Sequence, residues 1–267
     1  KEDCAWAEAG YNIADEQFAL TARPAWTAHS PKGGSLTISG NTVSGTDSEG
    51  NAYQMAFDNS GKMTAWTYAG KQILHTNANG TIASGAAPDF NSCRNIDNDK
   101  ESTGTANVGC VNSSSTKIIK ALTKDDASGC ATMTVQGNAK NCQYTIRYTF
   151  YPDATVDMKT TFSPSGATRR LGLGLQLASG FENVEFYARG PRSNYSDRKT
   201  GSYLGRFTTT VDDMVEEQIH PQTYGDHEDL RELLLSNKEE GLTLTVQVDG
   251  QASFSLSHFD ESKWIEE

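Results

Sequence analysis

Apolar and polar residues alternate with a period of two along much of this chain. Cys142, Tyr144, Ile146, Tyr148 and Phe150 fall on one side of an extended segment, and Gln143, Thr145, Arg147 and Thr149 on the other. The same alternation sets Val156, Met158 and Phe162 against Asp157, Lys159 and Thr161. It sets Leu171, Leu173, Leu175 and Leu177 against Gly172, Gly174 and Gln176, and Leu242, Leu244, Val246 and Val248 against Thr243, Thr245 and Gln247. Successive side chains of a strand point to opposite faces, so each segment reads as a strand with one face on a core. Such strands suit antiparallel sheets stacked face to face, and the expected fold is all-β, a large antiparallel β-sandwich.

Turn-forming residues separate the runs. Asp58-Asn59-Ser60-Gly61 divides Tyr53–Phe57 from Met63–Tyr68 and predicts a hairpin. Ser48-Glu49-Gly50-Asn51 and Gly137-Asn138 predict further turns. No window carries a long amphipathic helix; short helical turns are expected at Ser193–Lys199 and Ser262–Glu267. The segment Asn77–Thr116, rich in Gly, Ser, Asn, Thr and Asp, lacks periodicity and reads as one long polar loop, a length that usually signals function or disorder.

Length and charge narrow the function. The chain has 267 residues, which a single sandwich can accommodate. With 34 acidic and 23 basic residues it carries a net charge of −11, which argues against nucleic acid, since phosphate neutralisation needs clustered Lys and Arg. No apolar run approaches the ~18–20 residues of a membrane span, so no membrane partner is expected. The N-terminal Lys1-Glu2-Asp3-Cys4 lacks a signal-peptide pattern. Five cysteines contain no CxxC, and the histidines are not spaced to complete a zinc site, so no metal is expected on this chain. Cys130 and Cys142 sit too far apart along their hairpin to be bridged, whereas Cys93 and Cys110 flank one loop and form the better candidate pair.

Three stretches carry a resemblance. Phe186-Tyr187-Ala188-Arg189-Gly190-Pro191-Arg192-Ser193-Asn194-Tyr195-Ser196-Asp197-Arg198-Lys199 resembles the W-Y-G-R-G-P-x-E-N-Y-x-D-R-K stretch in the C-terminal domain of family 2 glycoside hydrolases with β-galactosidase activity. His220–Arg231 is similar to that family's P-Q-E-N-G-x-x-x-D-V-R stretch, and Arg94–Asp99 to its R-x-P-T-D-N-D segment. The run Trp6–Tyr11 with Glu16-Gln17-Phe18 fits the end of the preceding immunoglobulin-like domain, and the order and rough spacing of all four agree. Ala188, Ser193 and Thr223-Tyr224 depart from the family's usual Gly, Glu and Glu-Asn.

The resemblance implies a division at residue 24. Residues 1–24 would close or link to the immunoglobulin-like domain, and 25–267 would form the C-terminal supersandwich, of the kind also seen in galactose mutarotases, continuing beyond the position matching Glu267. Retaining β-galactosidases use two carboxylates about 5–5.5 Å apart. In the family both lie on a separate (β/α)₈ barrel, for which this chain has neither the pattern nor the length. The implied role is therefore non-catalytic: no hydrolysis by this chain alone, no cofactor on it (parent enzymes often use Mg or Na), and the barrel, the immunoglobulin-like domain and a galactoside as partners. The implied setting is bacterial, cytoplasmic or periplasmic, with a lean to the periplasm.

By carry-over, Asp97, Asp99, Lys100 and Glu101 would border the sugar pocket; Asp97 and Asp99 read equally as turn-formers. Arg189, Asn194, Asp197, Arg198 and Arg231 form a polar cluster that reads first as a buried turn held by Arg–carboxylate bonds and second as a sugar site. Among the tryptophans, Trp66 is expected in the core and Trp26 at the surface. Two alternatives stay open: a stand-alone carbohydrate-binding module, and a mutarotase or epimerase in which His220 or His227 would pair with Glu228 as acid and base.

Overall fold

The computed structural model describes residues 5–12, 14–94, 111–216 and 222–259. In chain order its strands are β1 (Ser35–Ser39), β2 (Thr42–Thr46), β3 (Ala52–Phe57), β4 (Met63–Tyr68), β5 (Lys71–Gln72), β6 (Asp89–Asn91), β7 (Ser115–Lys124), β8 (Ala131–Ala139), β9 (Cys142–Phe150) and β10 (Val156–Pro164). They are followed by β11 (Gly172–Gly174), β12 (Asn183–Gly190), β13 (Tyr203–Thr210), β14 (Glu232–Asn237) and β15 (Leu242–Gln247). Among the described residues the helical content is one 3-10 turn, Asp212–Met214. The all-β expectation holds.

Three larger sheets are antiparallel throughout: β1-β2-β3-β4-β5, β10-β9-β8-β7 and β13-β12-β14-β15; β11 and β6 form a small two-stranded sheet. The first two stack. Phe57 of β3 packs edge-on against Tyr148 and Phe150 of β9, with ring centroids 5.3 and 5.8 Å apart. β9 shows why the sequence pattern works: Cys142, Tyr144, Ile146, Tyr148 and Phe150 are all buried, while the residues between them are partly or fully exposed. The core continues into the third sheet through Val184, Phe186, Leu233 and Leu235. Trp66 lies in this core and Trp26 is exposed, as expected, although Trp6 is more exposed still.

Several local expectations need correction. The β8–β9 hairpin turns at Lys140–Asn141, with Ala139 opposite Cys142, and not at Gly137-Asn138. Gly137 lies within β8 opposite Tyr144, where a Cβ would sit 2.0 Å from the phenol ring. This glycine makes room for an aromatic side chain; it does not form a turn. Gly137→Ala should therefore destabilise the fold by about 1–3 kcal/mol, the usual cost of overpacking. A urea-denaturation midpoint equal to that of the unaltered chain would refute this account.

The leucine run pairs only over Gly172–Gly174, plus a bridge from Leu177 to Leu74, and Leu175 is exposed. Gly174 packs its bare backbone against Asn91, so the leucines do not line one continuous core face. The supposed polar loop from Asn77 contains a β-bridge (Thr76 to Ile82), strand β6 and the buried Ala86, Phe90 and Cys93. Ser193–Lys199 closes as a single turn, Arg198 N–H to Tyr195 O (2.8 Å), without a helix. The expected turn at 262–267 lies outside the described residues. Cys93 is disulfide-bonded and Cys130 and Cys142 are free thiols; Cys110 lies outside the described residues.

Below the tip of β8, Asp89 on β6 anchors a buried polar network. Its Oδ1 accepts hydrogen bonds from Tyr144 (2.6 Å) and Ser114 (2.7 Å), and Lys62 donates to Oδ2 at 3.0 Å.

The N-terminal segment lies across the third sheet. The Gln17 side-chain amide exchanges two hydrogen bonds with the backbone of Leu204 on β13. Six residues later the Arg23 guanidinium donates to the carbonyls of Val248 and Gly250, just beyond β15. Four strands span about 14 Å at the usual inter-strand spacing, a width that six extended residues cover with length to spare. This strap grips the sheet with polar side chains and leaves Trp6, Tyr11, Phe18 and Leu20 exposed.

Candidate functional site

The two best-matched sequence stretches fold against each other. Strand β12 ends at Arg189-Gly190 and the chain turns through a cis Gly190–Pro191 bond. The returning stretch, Asp226–Arg231, runs alongside. Arg189 N–H donates to Glu228 O (2.9 Å) and Asn194 N–H to Asp226 O (2.7 Å). The Asn194 side chain, 0% exposed, completes the join: its Nδ2 donates to the Arg189 and Arg192 carbonyls, both at 3.1 Å, and its Oδ1 accepts the Glu228 N–H at 3.0 Å. An amide is the smallest side chain that supplies two donors and an acceptor at one buried point.

The Arg189 guanidinium is held in the same unit. It donates to the Asp229 carboxylate and to the carbonyls of Ser202 (2.8 Å) and Lys199 (3.2 Å). Asp229 has a left-handed backbone (φ 57°), and its carboxyl is held below its ordinary range: burial pushes it up, but Arg189 and Lys199 outweigh that. Arg231 packs 5.0 Å over the Tyr187 ring and donates to its hydroxyl. Asp197 and Arg198 are exposed; Arg198 lies over the Tyr195 ring, with Nη2 3.5 Å from Ser193 Oγ. Thus Arg189, Asn194 and Arg231 sit in the framework and Arg198 faces outward. Asp97, Asp99, Lys100 and Glu101 lie outside the described residues.

Beside this framework is a cleft of about 510 Å³. Arg192, Ser193 and Arg198 line one part of it, and Asp213, Glu216 and His227 another; Phe186, Pro191 and Met214 supply apolar surface. Glu216 Oε1 accepts the Ser193 N–H (3.2 Å), tying the two parts together. Asp213 is placed by the 3-10 turn and by Thr210, whose hydroxyl donates to its Oδ2 (2.8 Å). His227 is buried between Phe186 and Phe254, and its Nδ1 lies 2.9 Å from the Arg189 carbonyl. Burial holds its pKa below the ordinary histidine value. A carbonyl only accepts, so the proton of the neutral ring resides on Nδ1 and Nε2 keeps its lone pair.

The acid–base pairing of His227 with Glu228 is not formed at this cleft. Glu228 is absent from its walls; its carboxylate lies 4.0 Å from Lys199 Nζ, and His220 lies outside the described residues. Asp213 and Glu216 were missed in the sequence because Thr208–Glu216 carries no motif; their position between the two matched stretches was the available signal. Among the described residues no group of three or more His, Cys, Asp or Glu side chains is placed to hold a metal ion. Nor is any helix among them long and apolar enough to cross a membrane.

Fold and cleft together define a large antiparallel β-sandwich module with a polar, mixed-charge cleft at its surface. Residues 49–267 match the family described as beta galactosidase small chain, and the chain belongs to that family. It is 27% identical to a beta-galactosidase of Priestia megaterium over 252 residues, covering 89% of this chain and 23% of the relative. It is 35% identical to one from Staphylococcus xylosus over 131 residues (49% of this chain, 12% of the relative). With one from Vibrio cholerae it shares 31% over 119 residues (43% and 11%). The chain thus spans about a quarter or less of the length of these bacterial relatives.

Proposed function

We propose that this chain is a non-catalytic C-terminal module of a bacterial β-galactosidase of glycoside hydrolase family 2, helping to wall the substrate pocket formed with a separate catalytic barrel. The observation that carries this reading is the small-chain match of residues 49–267, together with full-length relatives of which the chain covers 23% or less. The exposed apolar side chains of the N-terminal strap fit a face that packs against neighbouring domains of a longer chain. The disulfide at Cys93 favours the periplasm over the cytoplasm. Division at residue 24 and pocket-wall roles for Asp97, Asp99, Lys100 and Glu101 belong to the same proposal.

Hydrolysis of a chromogenic β-galactoside tests it. The 267-residue chain alone should be inactive. Removing the matching region from the longer enzyme should lower kcat/KM by on the order of a hundredfold, the scale of a misplaced pocket wall. Adding this chain back should restore activity. An undiminished rate without the region would overturn the proposal, as would turnover by this chain alone.

A further inference from the structure

We infer that the cleft lined by Arg192, Arg198, Asp213, Glu216 and His227 binds a neutral, hydroxyl-rich ligand of monosaccharide size. This goes beyond the pocket-wall role and does not require the catalytic barrel. The charges decide the ligand class. Two guanidinium groups and two carboxylates share the wall, so an anion meets Asp213 and Glu216, and a cation meets Arg192 and Arg198. A sugar hydroxyl both donates and accepts, and so can use every one of these groups.

The spare hydrogen-bonding capacity has the right sense. One carboxylate oxygen of Glu216 is taken by Ser193 N–H and one of Asp213 by the Thr210 hydroxyl, and a carboxylate has further lone pairs to offer on each side chain. His227 backs the cleft, its Nδ1 committed to the Arg189 carbonyl. The guanidinium of Arg192 has no partner among the described residues and is exposed, ready to donate. Pro191, exposed at the rim, offers apolar surface to the C–H side of a sugar, and the buried Phe186 and Met214 lie behind it. A cleft of about 510 Å³ falls within the ordinary range for small-ligand sites.

The test is a titration of galactose, to tens of millimolar, into the ¹⁵N-labelled 267-residue chain, followed by amide chemical shifts. Saturable shifts at Ser193, Thr209, Asp213 and Glu216 are expected. Arg192→Ala should weaken binding at least about tenfold, the lower end for a charge-assisted hydrogen bond. Glu216→Gln, which keeps the acceptor for Ser193 N–H, should weaken it in the same direction. Retained amide dispersion in both variants shows that the fold is intact. The inference is overturned by no saturable shift, by shifts that map elsewhere, by variants that bind as tightly as the parent, or by inorganic phosphate binding more tightly than galactose. None of these outcomes bears on the hydrolysis experiment, so the two readings fail separately.

Discussion

Asn194→Ala is expected to lower the unfolding free energy by roughly 3–5 kcal/mol, a large fraction of the ~5–15 kcal/mol that holds a domain together. The substitution strands the Arg192 carbonyl and the Glu228 N–H and takes one of two donors from the Arg189 carbonyl, which keeps His227 Nδ1. The side chain is wholly buried, and each buried group left without its partner costs about 1–3 kcal/mol. Asn194→Asp tests the mechanism more sharply: it keeps the acceptor for Glu228 but turns the Nδ2 donors into an oxygen facing two carbonyls. It should be no more stable than the alanine variant. Urea denaturation measures both, and a loss below about 1 kcal/mol for Asn194→Ala would show that the two stretches are held together by something else.

Asp89→Ala should cost roughly 1–3 kcal/mol, because it removes the shared acceptor of three hydrogen bonds at a largely buried site and leaves Tyr144 and Ser114 to pair only with each other. This site also has a pH signature. Burial alone would raise the carboxyl pKa, but hydrogen bonds from Tyr144, Ser114 and Lys62 outweigh it and hold the pKa below its ordinary 3.8. A group whose pKa is depressed by folding stabilises the protein fully above the unfolded value. That contribution disappears as pH falls through 3.8 toward the folded pKa. Tyr144 moves in the complementary direction: burial first, and then the neighbouring carboxylate, raise its pKa. Asp89→Asn should accordingly flatten the acid limb of the stability curve. An acid limb of unchanged slope would show that Asp89 is not the titrating group.

How far the sequence discloses this molecule depends on how much of one face each strand buries: β7, ten residues long, buries only Leu122 and β13 buries none, so neither shows a period. β9 and β15 are six or more residues long with one buried face, and their alternation is plain from Cys142 and Leu242 onward. β1 and β2 have five residues each, with one buried side chain apiece (Leu36 and Val43), which is too little to register as a period. β6 is hidden for a related reason: Asp-Phe-Asn reads as loop, and only its pairing with β11 and the burial of Phe90 make it a strand. Gly137 misled because a glycine beside an asparagine signals a turn locally, while the reason for it lies across the sheet at Tyr144. At the cleft, the matched stretches exposed Arg198 and the framework residues Arg189 and Asn194. Asp213 and Glu216 reach the same place only through the path of the chain after β13.

The strap over the third sheet bears on how its edge meets other extended chains. β13 is the outer strand of its sheet, and an outer strand offers unpaired backbone groups to any extended chain nearby. At Leu204 both the N–H and the carbonyl are taken by the amide of Gln17, which imitates a peptide unit without continuing as one. At that residue the ladder is closed by a counterfeit rung, supplied from the same molecule and held at the sheet's far side by Arg23.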